Sequence, residues 1–414
     1  MDVRIARKWD YYLGIPLCWV FSMFHMVKFW KRPLNKRKNI YPRKVLFIEL
    51  CEMGSIILGY SAIREVKSSY SNAEIYFLTF RENAEAVILS GDINKENIIG
   101  IRSENTIVLL FDLWRTINKL RKIGIDTIID MNLFFRVTTI ISYLTKASIR
   151  VGFYQTEHKG LYRGDMQTHN VLYDPDKHIK DNFLLLVKAL NSDNFDYCNS
   201  EQNLSEIKKN TVMSSLEPQD MVEIKKRLSV LAPKLDLSCK IILMNLGQRD
   251  AIGTRKWPVE NYNNLISMLL ADEHTFILMI GKDHPGKEKL FKHAHCLDLI
   301  DKTSFRDIIH LCKIADAIVS HDCGLIHIAS LTNIFICVLF GPETPKLYAP
   351  ISDNMKIFYK GLSCSPCVSA FNNKLCSCLD NKCLSMISTE EVYDCLVKPV
   401  YKVTSDTNKI DYKL

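Results

Sequence analysis

Val319-Ser320-His321-Asp322-Cys323-Gly324-Leu325-Ile326-His327 packs a strand end, a turn and a helix start into one short stretch. The apolar run 317–320 leads into it, Gly324 opens the helix, and a second apolar run, 334–340, follows. That is one βαβ unit, and the same alternation extends in both directions. Runs 44–50, 74–79, 126–130 and 150–153 read as strands, with helical patterns over 56–69, 105–122 and 134–145. Residues 155–177 are polar and aromatic without periodicity, and 178–191 resume a helix. A stretch rich in Ser, Asn, Lys and Glu, 192–235, then reads as a linker with a helix at 218–231. The pattern restarts with strands 240–246 and 275–280 and helices 259–270, 286–295 and 304–314. No internal repeat appears beyond this shared plan.

The predicted fold is α/β: two Rossmann-like, doubly wound domains facing across a cleft. Ligands in such sheets bind beyond the carboxyl ends of the strands, so function belongs in the loops after Leu50, Leu246, Ile280, Ser320 and Phe340. The predicted segments are 1–42 (basic and apolar), 43–200 (first domain), 201–236 (linker), 237–400 (second domain) and 401–414 (tail). A length of 414 residues exceeds what one core usually serves.

Charge is informative once located. Residues 1–44 hold eleven Lys and Arg against two Asp, a net of +9, whereas the whole chain carries +8. The remaining body is close to neutral, which argues against a general nucleic-acid binder. The basic residues bracket an apolar stretch, 11–27, followed by Lys28-Phe29-Trp30-Lys31-Arg32. Pro16 and His25 interrupt it, it is short for a span, and no small-residue cleavage site follows. The favoured reading is an interfacial anchor in which Trp19, Phe21, Phe24 and Trp30 enter lipid while cations meet anionic headgroups. A true span and a helix packed on the body are the alternatives. The flanking cations place the body on the cytoplasmic face of a membrane.

Several loops carry polar groups suited to a nucleotide diphosphate. Asp322 can cap the helix opened by Gly324, whose N–H groups, with Cys323 and His327, suit phosphate oxygens. The strand ending at Asn245 and Gly247 leads to Thr254-Arg255-Lys256-Trp257-Pro258, where a cationic pair can neutralise phosphate charge. Asp283, two residues past Gly281, can accept from ribose hydroxyls or simply form a turn. Gly341-Pro342-Glu343-Thr344-Pro345 is a rigid turn at the same sheet edge.

Taken in order, Arg255-Lys256-Trp257-Pro258, Asp322-Cys323-Gly324 with His327, and Phe340-Gly341-Pro342 with Pro345 resemble the lipopolysaccharide heptosyltransferase family, glycosyltransferase family 9. The similarity takes in the first strand and its turn through Gly54, the 126–130 strand, Arg150-Val151-Gly152 and Cys364-Ser365-Pro366-Cys367, covering roughly residues 43–395. The resemblance implies a GT-B fold and metal-independent, inverting transfer of a sugar from a donor such as ADP-heptose. Family roles at the donor phosphates then fall on Arg255, Asp322, Gly324 and His327, and a ribose contact on Asp283. The acceptor implied is a lipopolysaccharide or another lipid-linked cell-envelope glycan of a bacterium.

One position departs from the family. Where members show a Gly-Asp pair whose Asp is the proposed base, this chain has Gly54-Ser55. Inverting displacement needs a base beside the acceptor hydroxyl, and Glu52, three residues earlier, is the substitute. Its alternative reading is a helix cap, in a non-catalytic nucleotide-sugar-binding or scaffold protein. The catalytic set is thus Glu52, Ser55 and Arg255, and the acceptor side offers Asp130, Arg136 and Arg150. An oxidoreductase reading is disfavoured because neither half shows G-x-G-x-x-G after its first strand.

Nine of the fourteen cysteines are scattered as small core residues, and five cluster between 364 and 383. Cys364, Cys367, Cys378 and Cys383 have metal-like spacing, which a structural zinc would exploit; disulfides and free thiols are the alternatives.

Overall fold

The computed structural model describes residues 9–30, 41–155, 161–191, 196–197, 218–247, 255–282, 290–372, 376, 378 and 380–398. The chain separates into two compact units, Met1–Asn210 with Ala370–Asn373, and Thr211–Ser369 with Lys374–Leu414.

Unit 1 is built on a parallel seven-stranded sheet of order β3-β2-β1-β4-β5-β6-β7. Its strands are β1 (Lys44–Ile48), β2 (Glu74–Phe80), β3 (Ile98–Ile101), β4 (Thr127–Asp130), β5 (Ile149–Tyr154), β6 (His169–Leu172) and β7 (Asp196–Tyr197). The continuous apolar sequence of β1, Lys-Val-Leu-Phe-Ile, reflects cover on both faces. Leu46 and Ile48 meet Leu120 and Ile141 on one side. On the other, Phe47 stacks on Phe77, with ring centroids 6.4 Å apart.

Unit 2 repeats the plan with six parallel strands in the order β10-β9-β8-β11-β12-β13. These are β8 (Lys240–Asn245), β9 (Thr275–Ile280), β10 (Cys296–Asp298), β11 (Ala317–His321), β12 (Phe335–Phe340) and β13 (Met355–Tyr359). Strand order reverses between β1 and β4 in unit 1 and between β8 and β11 in unit 2. The loops following those four strands therefore diverge from each switch point and leave room for a ligand.

The fully covered strands follow the sequence reading, and the differences lie at the sheet edges and at β6 beside one edge. β3, β6, β7, β10 and β13 are too short or too polar to stand out by pattern. β6, His-Asn-Val-Leu, emerges from the polar 155–177 stretch because its main chain pairs with β5. The helix expected over 56–69 is divided into Met53–Leu58 and Tyr60–Ser69, with Gly59 between them. Of the helix expected over 286–295, residues 290–295 are irregular and the start lies outside the described residues. Helices Lys382–Ser385 and Thr389–Val397 close the second unit, the latter opened by a capping box between Ser388 and Glu391.

The N-terminal apolar segment forms the 17-residue helix Gly14–Trp30. Among the described residues no helix is long and apolar enough to cross a membrane, so the spanning reading is corrected. The helix lies on unit 1, seated by Gly14, Cys18 and Ser22, which recur every four residues and are buried. A Cβ on Gly14 would lie 2.9 Å from the Arg136 side chain, so only glycine allows this approach. The Ser22 hydroxyl accepts from the Asp165 N–H at 2.8 Å, and Phe21 and His25 pack on Tyr143.

Candidate active site

In unit 1 the turn after β1 is held by two side chains from elsewhere in the fold and by one of its own. Asn132 accepts from the Leu50 N–H at 3.2 Å and donates to the Ile48 carbonyl at 2.9 Å. Asn83 donates to the Leu50 carbonyl at 2.9 Å. The buried Glu49 folds back so that its Oε1 accepts from the N–H groups of Cys51 and Glu52, at 3.1 and 3.2 Å. This fixes the backbone from which Glu52 projects.

Glu52 occupies the N-cap position of Met53–Leu58 but makes no side-chain cap bond. Its Oε2 instead accepts from the Ser55 hydroxyl at 3.2 Å. The capping alternative therefore does not describe this carboxylate, and the residue standing at the family's Asp position is its hydrogen-bond donor. Gly54 lies within the same helix.

The three acceptor-side residues of unit 1 are built into its interior. The Asp130 carboxylate, at the end of β4, accepts from Thr138 Oγ1 at 2.7 Å and from the Asn132 N–H at 3.1 Å, and it pairs with Arg163. Arg136 is buried against Asp10 and donates to the Tyr162 carbonyl at 2.9 Å. Arg150 is buried, donating to the Met166 and Ala147 carbonyls. Their polar ends are spent on the fold, so an acceptor role is not carried forward for them.

In unit 2 the site grows from a buried aromatic anchor. Trp257 is 2% exposed, donates its indole N–H to the Ile387 carbonyl at 3.0 Å and meets Tyr262 edge-on at 5.0 Å. The Tyr262 hydroxyl donates to the Asn245 carbonyl at 3.1 Å, at the end of β8. Pro258 takes the N-cap position of Val259–Leu269. These contacts set the direction of the chain entering from Arg255 and Lys256, and Asn381 donates to the Lys256 carbonyl at 2.5 Å.

Arg255 Nη1 lies 3.7 Å from Asp322 Oδ2, and Nη2 lies 3.4 Å from Glu343 Oε2. The three residues arrive from the loops after β8, β11 and β12. Glu343 is 1% exposed. Asn245 ties the same loops together, donating to Ser320 Oγ at 2.9 Å and to Cys323 Sγ at 3.1 Å, while its buried Oδ1 has no hydrogen-bond partner among the described residues. Burial pushes the Cys323 thiol up to about 11, so the sulfur stays protonated and structural.

Cys323, not Asp322, is the N-cap residue of Gly324–Ala329, and it makes no side-chain cap bond. This corrects the expected Asp322 cap: the carboxylate points to Arg255. The helix has six residues, so the guanidinium, rather than a helix dipole, is the principal positive group here. His327 is buried one turn into that helix. Gly281, at φ +115°, brings Lys282 N–H to the Gly247 carbonyl at 3.0 Å, and a Cβ there would strike that oxygen. Gly341 is required by packing, since a Cβ would lie 2.6 Å from Leu384. Thr254 and Asp283 lie outside the described residues.

Glu343, Glu49 and Arg163 complete these sites without having been singled out by pattern. Glu343 carried the clearest available signal, a carboxylate inside a Gly-Pro-Glu-Thr-Pro turn at the edge that holds the cation.

The cysteine cluster assembles differently from the expected four-thiol metal set. Among the described residues no group of three or more His, Cys, Asp or Glu is placed to hold a metal. Among the described cysteines of this stretch the close pair is Cys367 with Cys376, sulfurs 3.2 Å apart, and Cys376 lies outside that set. Cys383 is drawn into the core with Leu384 and Ile387, while Cys364 is exposed. Burial, then the Cys376 contact, pushes the Cys367 thiol up to about 12.

Two parallel Rossmann-like units, with Arg255, Asp322 and Glu343 gathered at the switch point of the second, make up the architecture. Solved structures share it. Heptosyltransferase II of E. coli, described as an ADP-heptose LPS enzyme, superposes with a TM-score of 0.61 at 16% identity, covering 85% of this chain and 96% of that one. A family 9 glycosyltransferase from Veillonella parvula gives 0.65 at 15% identity, covering 86% and 97%. The profile of Glycosyltransferase family 9 (heptosyltransferase) matches residues 113–376, and the chain belongs to that family. Lipooligosaccharide heptosyltransferase 2 of Haemophilus influenzae is 30% identical over 128 residues, 27% of this chain and 37% of the relative. Lipopolysaccharide heptosyltransferase 2 of Escherichia coli K12 is 28% identical over 111 residues, 25% and 32%. The aligned sequence thus spans about a third of each curated relative.

Proposed function

We propose that the protein is an inverting glycosyltransferase that moves a heptose or related sugar from an ADP-heptose-like donor to a lipopolysaccharide or similar lipid-linked glycan. The observation that carries this reading is Arg255, placed by buried Trp257 at the second unit's switch point between the carboxylates of Asp322 and Glu343. A diphosphate arriving there competes with two carboxylates for a guanidinium whose planar fork suits phosphate oxygens. Family membership and the relatives' names support the donor class and the acceptor class.

In the proposed reaction the Glu52 carboxylate takes the proton of the acceptor hydroxyl as its oxygen attacks the anomeric carbon. The bond from that carbon to the diphosphate breaks on the opposite face, and the electron pair leaves with ADP. Arg255 stabilises the charge that develops on the leaving group. The Ser55 hydroxyl orients the Glu52 carboxylate through their hydrogen bond. Work at the cytoplasmic face of the membrane, next to a lipid-linked acceptor, suits the +9 charge of residues 1–44.

The test is release of ADP from ADP-heptose by purified protein with a truncated lipopolysaccharide acceptor, alongside calorimetric binding of ADP. Transfer that disappears in Glu52→Gln while ADP binding persists supports the assignment. ADP binding without transfer to any acceptor instead identifies a non-catalytic nucleotide-sugar-binding protein, a reading that the Ser55 replacement favours. Absence of ADP binding removes both.

A further inference from the structure

We propose that helix Thr106–Ile123 is a second lipid-facing element, forming with Gly14–Trp30 one docking surface for an anionic bilayer. This deepens the membrane part of the reading above and rests on it.

The first helix is built inside out for a surface helix. Its buried seam is small, Gly14, Cys18 and Ser22, while Leu17, Trp19, Met23, Phe24 and Val27 face outward, Phe24 being 64% exposed. An ordinary amphipathic helix turns its large apolar side chains inward and its polar ones to water.

Thr106–Ile123 repeats the anomaly independently. Leu109, Leu113, Ile117 and Leu120 pack on the core of unit 1. A second stripe, Ile107, Leu110, Phe111 and Trp114, has the i, i+3, i+4, i+7 spacing of a helix face and is exposed, Ile107 by 82% and Trp114 by 64%. The pattern reads as one broad apolar helix, so the sequence alone does not separate the covered stripe from the open one. Both helices flank Arg136–Leu144: Gly14 abuts Arg136, Phe21 meets Tyr143, and Arg121 donates to the Leu144 carbonyl at 2.6 Å. Two exposed apolar stripes on helices that flank the same helix mark an interaction surface.

Charge selects the occupant. The second helix exposes Arg115, Lys119, Arg121 and Lys122, and its sole acid, Asp112, is held by Arg102 at 2.8 Å. With residues 1–44 at +9, a second copy of the chain would bring like charges together. An anionic lipid surface matches both the cations and the aromatic side chains.

The test is co-sedimentation of the full chain with vesicles of phosphatidylcholine plus phosphatidylglycerol, or of phosphatidylcholine alone, for the parent, Phe111→Ser/Trp114→Ser and Phe24→Ser. Because the substituted side chains are exposed, folding is checked by melting temperature. The expected result is binding of the parent to anionic vesicles only, with each variant at least about tenfold weaker. Parent-like binding by the double variant, with Phe24→Ser impaired, overturns the second contact and leaves the first. Parent binding to both vesicle types overturns the anionic choice. A parent dimer that the double variant dissociates makes the surface a self-interface, and no vesicle binding by the parent removes the membrane reading altogether.

Discussion

Asp10 and Arg136, 126 residues apart, are joined twice. The Asp10 carboxylate accepts from the Arg136 backbone N–H at 3.0 Å and the Val137 N–H at 2.9 Å, and it pairs with the Arg136 guanidinium at 3.2 Å. An acid from the N-terminal segment thus supplies the missing cap of helix Arg136–Leu144 while neutralising a buried cation.

Asp10→Ala leaves the Arg136 charge buried without its carboxylate and should cost roughly 3–5 kcal/mol, because an uncompensated buried ion keeps its desolvation penalty. Thermal unfolding of the variant should begin lower than in the parent, and cleavage near residue 30 by a protease should accelerate. An unchanged melting temperature would show that the helix is not seated as described.

Arg255→Ala should weaken ADP binding by about ten- to a hundredfold, the range of a lost charge-assisted hydrogen bond. Calorimetry measures it directly. Lys restores charge but not the fork, so Arg255→Lys should fall between parent and Ala. Equal affinities across the three proteins would remove Arg255 from the donor site.

Trp257→Ala should destabilise unit 2 by roughly 3–5 kcal/mol through the cavity it leaves. Trp257→Phe keeps much of the volume but removes the indole hydrogen bond, leaving the Ile387 carbonyl with the Asn261 donor at 3.4 Å, a loss of about 1 kcal/mol. Denaturant unfolding that ranks the two equally would contradict the anchoring role.

Asp112 gives an acid-sensitive contribution. Its hydrogen bond with Arg102 holds the carboxyl down at about 2, below the roughly 3.9 of an unfolded chain. A depressed folded value stabilises above the unfolded one, so this contribution is complete above about pH 4 and is lost as pH falls through about 2. Asp112→Asn should flatten that part of the stability profile while leaving neutral-pH folding cooperative.

Much of the fold was legible because strands covered on both faces are written as unbroken apolar runs, as in β1, β8 and β9. The edge strands were not, since β7 and β13 owe their conformation to main-chain pairing with one neighbour, which has no side-chain period. At the site, Arg255 and Asp322 could be found from residue type and loop position. Their partnership, and the entry of Glu343, depended on three loops meeting over a buried Trp257. The cysteine cluster misled because thiol spacing along the chain says nothing about which sulfur the core will absorb, and Cys383 was absorbed.

Read as a chain alone, the protein specifies two βαβ sheets, the loops that end their strands, a basic and apolar N-terminus and a serine where an acid is expected. Those properties are local: periodicity, turn chemistry and composition carry them. Only the folded molecule decided that Glu52 bonds to Ser55, that Arg136 and Arg150 are internal supports, and that one apolar stripe of Thr106–Ile123 is covered while the other is open. The buried arginines and the covered stripe depend on partners brought together from other parts of the chain, and the local Glu52–Ser55 bond sits on a turn that Asn83 and Asn132 hold from a distance; that proximity is a property of packing.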